Sequence, residues 1–296
     1  MLTIMTSLGY PLRFNIIEAG AAALKDNEKD KPEGFHALLS SFPGSAIHAF
    51  EIDPEVCAQM NAAAPPGLRY HVCALGRREE ERDFYETAHP MCASLYRPNA
   101  PFLSLFWNLE VAREKQKTRV QTVSLDYFTR TQKTGPIDFI KIDIQGAELD
   151  VFEGGTETLK DVLLIVTEVE FVPLYENQPL FGDVCAFLHR QGLIFHKFVG
   201  LARRGLKEML INGQPHKTGQ HLWADALFVR DLLQLQRLSD EQLLKLAVLL
   251  NSYVCFDAAH LLFSVFDQRK GTKFAPRYAN DINLIAQAVR QKAGQA

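Results

Sequence analysis

The stretch Asp138-Phe-Ile-Lys-Ile-Asp-Ile-Gln-Gly-Ala-Glu148 joins an apolar run, acidic side chains and a glycine in eleven residues. Its isoleucine-rich half predicts a buried strand, and Gly146 predicts a turn into a helix. Asp143 then lies at the carboxyl end of the strand. Because this edge of an open parallel sheet forms the ligand crevice, we expect the active site here. The alternative is that Asp143 only caps the following helix.

Similar apolar runs alternate with helical patterns along most of the chain. This alternation predicts an α/β fold with a mainly parallel sheet. No helix is evident between the sixth and seventh principal strands, so the last strand is predicted to be antiparallel. The predicted strands cover 14–17, 46–50, 68–74, 137–143, 162–170, 193–199 and 225–229, with an added edge strand at 119–123.

From Leu232 onward, leucines recur at helical spacing, and Ser239-Asp-Glu-Gln242 has the pattern of a capping box. We therefore predict a domain over residues 1–231 and a helical C-terminal extension over 232–296. The extension either covers the sheet or pairs two subunits in a homodimer.

Composition excludes several classes of partner. A formal net charge of −3 and a pI near 6.3 give no basic field that would attract nucleic acid. No apolar run is long enough for membrane insertion, and the start of the sequence lacks a leader pattern, so we expect a cytoplasmic protein. The five cysteines lack metal-type spacing, which predicts reduced thiols and no structural zinc.

Three segments carry a resemblance to a known family. Lys141-Ile-Asp-Ile-Gln-Gly-Ala-Glu148, Thr167-Glu-Val-Glu-Phe171 and Pro173-Leu-Tyr175 resemble the signature region of FkbM-type methyltransferases. The resemblance implies a Rossmann-like class I methyltransferase sheet and S-adenosylmethionine as cofactor. It also implies methylation of a hydroxyl on a sugar, glycan or polyketide-type small molecule. In this family the residue at the position of Gln145 is usually acidic, and a second glycine usually follows Gly20.

The resemblance places the cofactor at the ends of the first three strands and beside Asp143. Glu51 is suited to gripping the ribose diol with two hydrogen bonds, with Asp53 as the alternative. The competing interpretation is that these two acids only form a polar turn before Pro54. The implied cofactor-binding residues are Glu18, Gly20, Ala21, Glu51, Ile52, Ala74 and Asp143.

A hydroxyl acceptor benefits from a base that removes its proton as the methyl group arrives. The candidates for catalytic roles are Asp143, Glu148 and Glu170, although Asp143 could equally orient the amino group of the cofactor. Glu148 could instead serve only the dipole of its helix. We expect no metal, because a dedicated spacing of His and Asp is absent.

Acceptor recognition is predicted for side chains of two loops and one strand. Arginine and histidine could bind an acidic part of the acceptor, and tryptophan could stack on a sugar face. The alternative for the loop residues is an ordinary solvated surface. The predicted substrate-binding residues are Ser94, Glu168, Arg203, His216, His221 and Trp223.

Two other functions compete with methyl transfer. An NAD-dependent Rossmann oxidoreductase would use the same class of sheet, but no G-x-G-x-x-G run follows the first strand. A non-catalytic cofactor-binding domain could act as an assembly module through its helical tail.

Overall fold

The apolar runs form two β-sheets in the computed structural model, which describes residues 9–20, 34–214 and 219–293. The strands are β1 Asn15–Ala19, β2 Ala46–Glu51, β3 Leu68–Val72, β4 Ala74–Gly76, β5 Glu80–Thr87, β6 Glu114–Ser124, β7 Phe139–Ile142, β8 Leu164–Glu170, β9 Leu193–Arg204 and β10 Gln220–Arg230. The α-helices are Ala37–Ser41, Pro54–Ala63, Ala100–Leu103, Leu125–Gln132, Glu148–Glu153, Phe181–Arg190, Asp240–Ser252, Phe256–Lys270 and Phe274–Ala293.

The larger sheet has the strand order β3-β2-β1-β7-β8-β10-β9. Parallel pairing joins β1 to β2 and β7, β2 to β3, and β7 to β8. Strand β10 is antiparallel to both of its neighbours, β8 and β9. The predicted mainly parallel sheet with a reversed last strand is therefore confirmed.

One face of the central strands is continuously apolar. Ile17 of β1 is the register partner of Ile140 in β7, which is the partner of Ile165 in β8. These side chains are fully buried in a cluster that also holds Phe152 and Phe228. Burial on both faces explains why the strand sequences are nearly uninterrupted apolar runs.

The smaller sheet was not predicted. Residues 119–123, expected as an edge strand, belong to β6, which pairs with β5 and β4 and not with the larger sheet. Strand β3 ends at Val72, and Ala74 already starts β4. Strand β5 escaped detection because it begins with the charged run Glu80-Glu-Arg-Asp83, which lacks the apolar alternation of a strand.

Asp150 ties the smaller sheet to the helix Glu148–Glu153. Its side chain is 2% exposed and accepts hydrogen bonds from Arg77 Nη2 at 2.9 Å and Arg82 Nη1 at 3.1 Å. The Tyr96 hydroxyl donates a third bond at 3.1 Å. A buried carboxylate needs such partners, because desolvation penalises its charge. Three segments that are separate in the sequence are thereby fixed to one helix.

Gly20 allows the ends of β1 and β7 to meet. Its φ is +88°, and an added Cβ would lie 1.7 Å from the carbonyl oxygen of Asp143. The Asp143 amide also donates a hydrogen bond to the Ala19 carbonyl at 3.0 Å. Any larger residue would force these two backbone segments apart.

The chain divides into two compact units. One contains both sheets, with described residues 15–20, 46–214 and 219–230. The other contains described residues 9–14, 34–45 and 231–293. These units describe contacts within the folded chain and not domains that fold separately. The predicted division into domains 1–231 and 232–296 therefore stays a prediction.

The predicted C-terminal helices are present. Ser239 caps the helix Asp240–Ser252 in a capping box with Gln242, as the sequence indicated. Phe266 of the next helix stacks on Phe274 of the last one, with ring centroids 5.5 Å apart. Over the described ranges, none of the helices combines the length and apolarity required to cross a membrane.

Replacing Gly20 with Ala should lower the free energy of unfolding by about 2–4 kcal/mol, because the new Cβ meets backbone and the positive φ is strained for Ala. Urea denaturation measures this loss. Gly200→Ala is the matched control: Gly200 lies in β9, and an added Cβ there meets nothing within 4 Å. Equal losses in the two variants would contradict the close approach.

Replacing Asp150 with Asn should cost about 2–3 kcal/mol, because the half-buried Arg82 loses its charged partner at 3.1 Å and keeps only Glu80 at 3.9 Å. Asp83→Asn, which changes a solvent-accessible carboxylate paired with Lys117 and Arg119, is the control and should cost far less. Denaturation midpoints of both variants, compared with the parent protein, give the measurement. A neutral Asp150→Asn variant would show that these bonds do not anchor the smaller sheet.

Candidate active site

A cavity of about 520 Å³ opens at the carboxyl ends of the parallel strands. Gly20 follows β1, Glu51 ends β2 and Asp143 follows β7, and all three line this cavity. Ile52 and Ala74, also predicted as cofactor residues, line it too. The sequence-predicted positions thus lie together, while their individual roles stay predictions.

The far wall of the cavity comes from residues that sequence reasoning missed. Phe84, Thr87 and Met91 follow or belong to β5, and Lys115 belongs to β6. No local sequence pattern predicted these residues as part of a site, because β5 and β6 have charged sequences that are typical of an exposed surface. Their place at the cavity depends on how the smaller sheet packs, which only the tertiary structure decides.

Acidic groups dominate the charged lining of the cavity. Among the described lining residues, Glu51, Asp53, Glu86 and Asp143 carry carboxyl groups, and Lys115 carries the opposing charge. Such a lining favours a ligand with cationic groups over one with several anionic groups.

The two acids after β2 have different partners. Asp53 Oδ1 accepts hydrogen bonds from the amides of Glu55 at 2.8 Å and Val56 at 3.1 Å, so Asp53 caps the helix Pro54–Ala63. Glu51 Oε1 accepts from the Asp53 amide at 2.9 Å. This arrangement favours Glu51 over Asp53 as the residue that grips a ligand diol.

Among the described residues predicted to bind the cofactor, Glu18 does not line the cavity. Glu18 is buried within β1, with 6% of its surface exposed. Ala21 lies outside the described residues.

Beside the cavity, four carboxyl groups gather around Gln145. Gln145 Nε2 donates to Asp143 Oδ1 and to Glu168 Oε1, both at 2.8 Å. Glu148 and Glu170 are each 2% exposed, and electrostatic coupling links them to Asp143. We call Asp143, Glu148, Glu168 and Glu170 the carboxylate cluster; in the described part of the chain, Asp143 is its member that lines the cavity.

Burial governs the acidity of this cluster. Desolvation raises the pKa of Asp143, while the Lys141 charge and the Gln145 hydrogen bond act in the opposite direction. Desolvation also raises the pKa of Glu148 to about 8, against the bond donated by the Ile144 amide. Burial, followed by repulsion from neighbouring carboxylates, raises the pKa values of Glu168 and Glu170 well above the ordinary range. These four carboxyl groups therefore hold protons more tightly than exposed carboxyl groups do.

Glu148 and Glu170 differ in their hydrogen-bond partners. The Ile144 amide donates to Glu148 Oε1 at 2.7 Å, so Glu148 closes the turn that presents Asp143. Glu170 Oε1 is buried without a hydrogen-bond partner in the described structure. Glu168 is half-buried and makes its hydrogen bond to Gln145.

Most predicted acceptor residues lie away from the cavity. Ser94 is 1% exposed, and its Oγ donates to the Gln145 carbonyl at 2.6 Å, so it stabilises the turn after β7. Arg203 and His221 are exposed register partners on the hairpin of β9 and β10. Trp223 is half-buried, with the Arg204 guanidinium carbon 5.1 Å from its ring centroid.

The acceptor roles of these residues stay predictions, as does that of His216, which lies outside the described residues. A search of residues 9–20, 34–214 and 219–293 finds no group of His, Cys, Asp or Glu arranged to hold a metal ion.

Comparisons with known proteins show to which family the chain belongs. The model of the methyltransferase FkbM domain matches residues 19–195. The 2-O-methyltransferase NoeI of Sinorhizobium fredii (strain NBRC 101917 / NGR234) is 29% identical over 150 residues, which cover 48% of this chain. The match spans 60% of the length of that enzyme.

Two solved structures have weaker similarity. The 23S rRNA methyltransferase ErmE has a TM-score of 0.32 and 12% identity, with 84% of this chain and 76% of that chain covered. The N-terminal domain of EvdMO1 with SAH bound has a TM-score of 0.32 and 11% identity, covering 77% of this chain and 80% of that chain. The match to the family model spans more than half of the residues, and on that ground the chain belongs to the FkbM methyltransferase family.

Proposed function

We propose that this protein transfers a methyl group from S-adenosylmethionine to a hydroxyl of a small molecule or glycan. The observation that carries the proposal is the meeting of Gly20, Glu51 and Asp143 at one cavity beside a buried carboxylate cluster. Membership of the FkbM family supports methyl transfer. The similarity to NoeI, a 2-O-methyltransferase, supports oxygen as the acceptor atom.

The residues at the cavity fit this cofactor. A volume of about 520 Å³ lies within the range of small-ligand pockets. Gly20 lines the cavity and has no side chain, so its backbone groups are available to a ligand. Glu51 would bind the ribose diol, and the apolar Phe50 and Leu75 would flank adenine.

The charge of the lining separates this cofactor from NAD. S-adenosylmethionine carries a sulfonium and an ammonium group, which the carboxylates of Glu51, Glu86 and Asp143 would attract. The pyrophosphate of NAD carries negative charge and would be repelled by the same groups. The absence of a G-x-G-x-x-G run after β1 acts in the same direction.

The chain contributes positioning and a base. S-adenosylmethionine supplies, when bound, an electrophilic methyl group on sulfur. Asp143 is assigned as the base that accepts the proton of the acceptor hydroxyl, because it joins the cavity to the carboxylate cluster. Burial raises the pKa of Asp143, which makes its ionised form a stronger base than an exposed aspartate.

We further propose that residues 1–231 form the catalytic domain. The C-terminal helices would either cover the sheet or form a homodimer. A chain truncated after Arg230 that still turns over substrate would show that the helices are not part of the catalytic site.

Calorimetric titration with S-adenosylmethionine and with NAD tests the cofactor assignment. We expect binding of S-adenosylmethionine and release of S-adenosylhomocysteine when a panel of sugars, glycans and polyketide-type hydroxyl compounds is supplied. If NAD binds and S-adenosylmethionine does not, the proposal is rejected.

Replacing Glu51 with Ala should weaken S-adenosylmethionine binding by about 5- to 150-fold, equivalent to the loss of about 1–3 kcal/mol of hydrogen bonding. Calorimetry measures the change. Glu55→Ala is the matched control: this glutamate is exposed in the following helix and does not line the cavity. If both variants bind as the parent protein does, the diol contact lies elsewhere.

Replacing Asp143 with Asn should lower kcat by about 10²- to 10⁴-fold, the range of a lost general base. The dissociation constant for S-adenosylmethionine should change much less, which separates this role from cofactor orientation. The exposed Asp161, changed to Asn, provides the control. A large loss of cofactor affinity with kcat preserved would assign Asp143 to cofactor binding.

A further inference from the structure

We propose that Gln145 is a positioning residue whose side-chain amide holds the carboxylates of Asp143 and Glu168 in place and keeps Asp143 ionised for proton acceptance. This inference rests on the proposed function for the role of Asp143. It concerns a side chain that the family resemblance marks only as a departure. The geometry around Gln145 carries the argument.

An amide suits this position because of its two hydrogens. Gln145 Nε2 lies 2.8 Å from Asp143 Oδ1 and 2.8 Å from Glu168 Oε1, so each hydrogen faces a different carboxyl group. A neutral double donor can donate to two carboxyl groups at once without adding charge. A carboxylate at this position would offer only acceptors and would have to share a proton with its neighbours.

The oxygen of the same amide has its own partner. The Tyr175 hydroxyl lies 3.0 Å from Gln145 Oε1 and 3.0 Å from the Cys92 carbonyl oxygen, and it shares one proton between them. Rotating the amide would bring its oxygen against two carboxyl groups. The orientation of Gln145 is therefore fixed by its surroundings.

The backbone of Gln145 is held in a conformation that glutamine seldom adopts. Its φ is +59°, in the left-handed region. The bond of 2.6 Å from Ser94 Oγ to its carbonyl oxygen secures this conformation, and Gly146 follows with a φ of +95°. Glycine would adopt this φ with less strain. We therefore attribute the glutamine at this position to its side chain, which donates hydrogen bonds to Asp143 and Glu168.

The charges around Asp143 explain why a donor matters. Burial, with a smaller effect from Asp225, disfavours its ionised form, while the Lys141 charge and then the hydrogen bond from Gln145 favour it. The titratable and charged groups coupled to Asp143 come from several elements: Lys141, Glu148, Glu168, Glu170, Asp225 and Cys92, with Tyr175 coupled to the other glutamates.

The test compares Gln145→Glu, which keeps the shape and replaces the donor with an acid, with Gln145→Leu, which removes both bonds. In kcat/KM measured against pH, the acidic limb should move upward by about one pH unit or more in Gln145→Glu and by less in Gln145→Leu. Activity of Gln145→Glu should recover at high pH. Gln121→Glu adds the same charge on the exposed surface of β6 and should leave the profile unchanged.

A second measurement needs no cofactor or acceptor. The new acid of Gln145→Glu has a raised pKa in the folded protein, so stability relative to the parent is retained at low pH and lost as pH rises. The gap in urea midpoint between ligand-free parent and Gln145→Glu should therefore widen from pH 5 to pH 8. For Gln121→Glu the gap should stay constant.

The two measurements separate the possible failures. If the parent protein methylates no hydroxyl, the proposed function fails, and the widening stability gap still decides whether Gln145 stabilises ionised neighbours. An unmoved acidic limb, or a stability gap that is the same at every pH, would overturn the proposal and leave Gln145 as a packing residue.

Discussion

The close approach of two backbone segments underlies the architecture of the site. Gly20 ends β1 so near the Asp143 carbonyl that a side chain could not fit between them. Gly20 and Asp143 both line the cavity. Parallel strands bring their carboxyl ends to one edge in any case, but the absent side chain allows two of those ends to form one wall.

The second constraint is the crowding of acids next to that contact. Asp143, Glu148, Glu168 and Glu170 would repel one another if all were ionised, and burial adds to the cost. The structure meets this cost with neutral donors, namely the Gln145 amide and the Ile144 backbone amide.

Sequence reasoning located the strand ends but missed half of the cavity wall. A buried parallel strand gives a local signal, because burial on both faces demands apolar residues throughout. Strand β5 gives no such signal: its charged start pairs with Lys117 and Arg119 of β6 at the surface, so it resembles a solvated loop. The anchoring of Arg82 by Asp150 joins positions 68 residues apart, which no local pattern can show.

The sequence by itself determined the α/β class, the reversed last strand, the cap of the first C-terminal helix and the positions of Gly20, Glu51 and Asp143, because periodicity and turn residues act over a few neighbours. The tertiary structure decided the partners. It made Asp53 the cap of its helix while Glu51 accepts a single backbone hydrogen bond, moved residues 119–123 into a second sheet and made Gln145 the link between Asp143 and Glu168. Those outcomes depend on distances between segments far apart in the chain, and side-chain partners are set only when such segments pack.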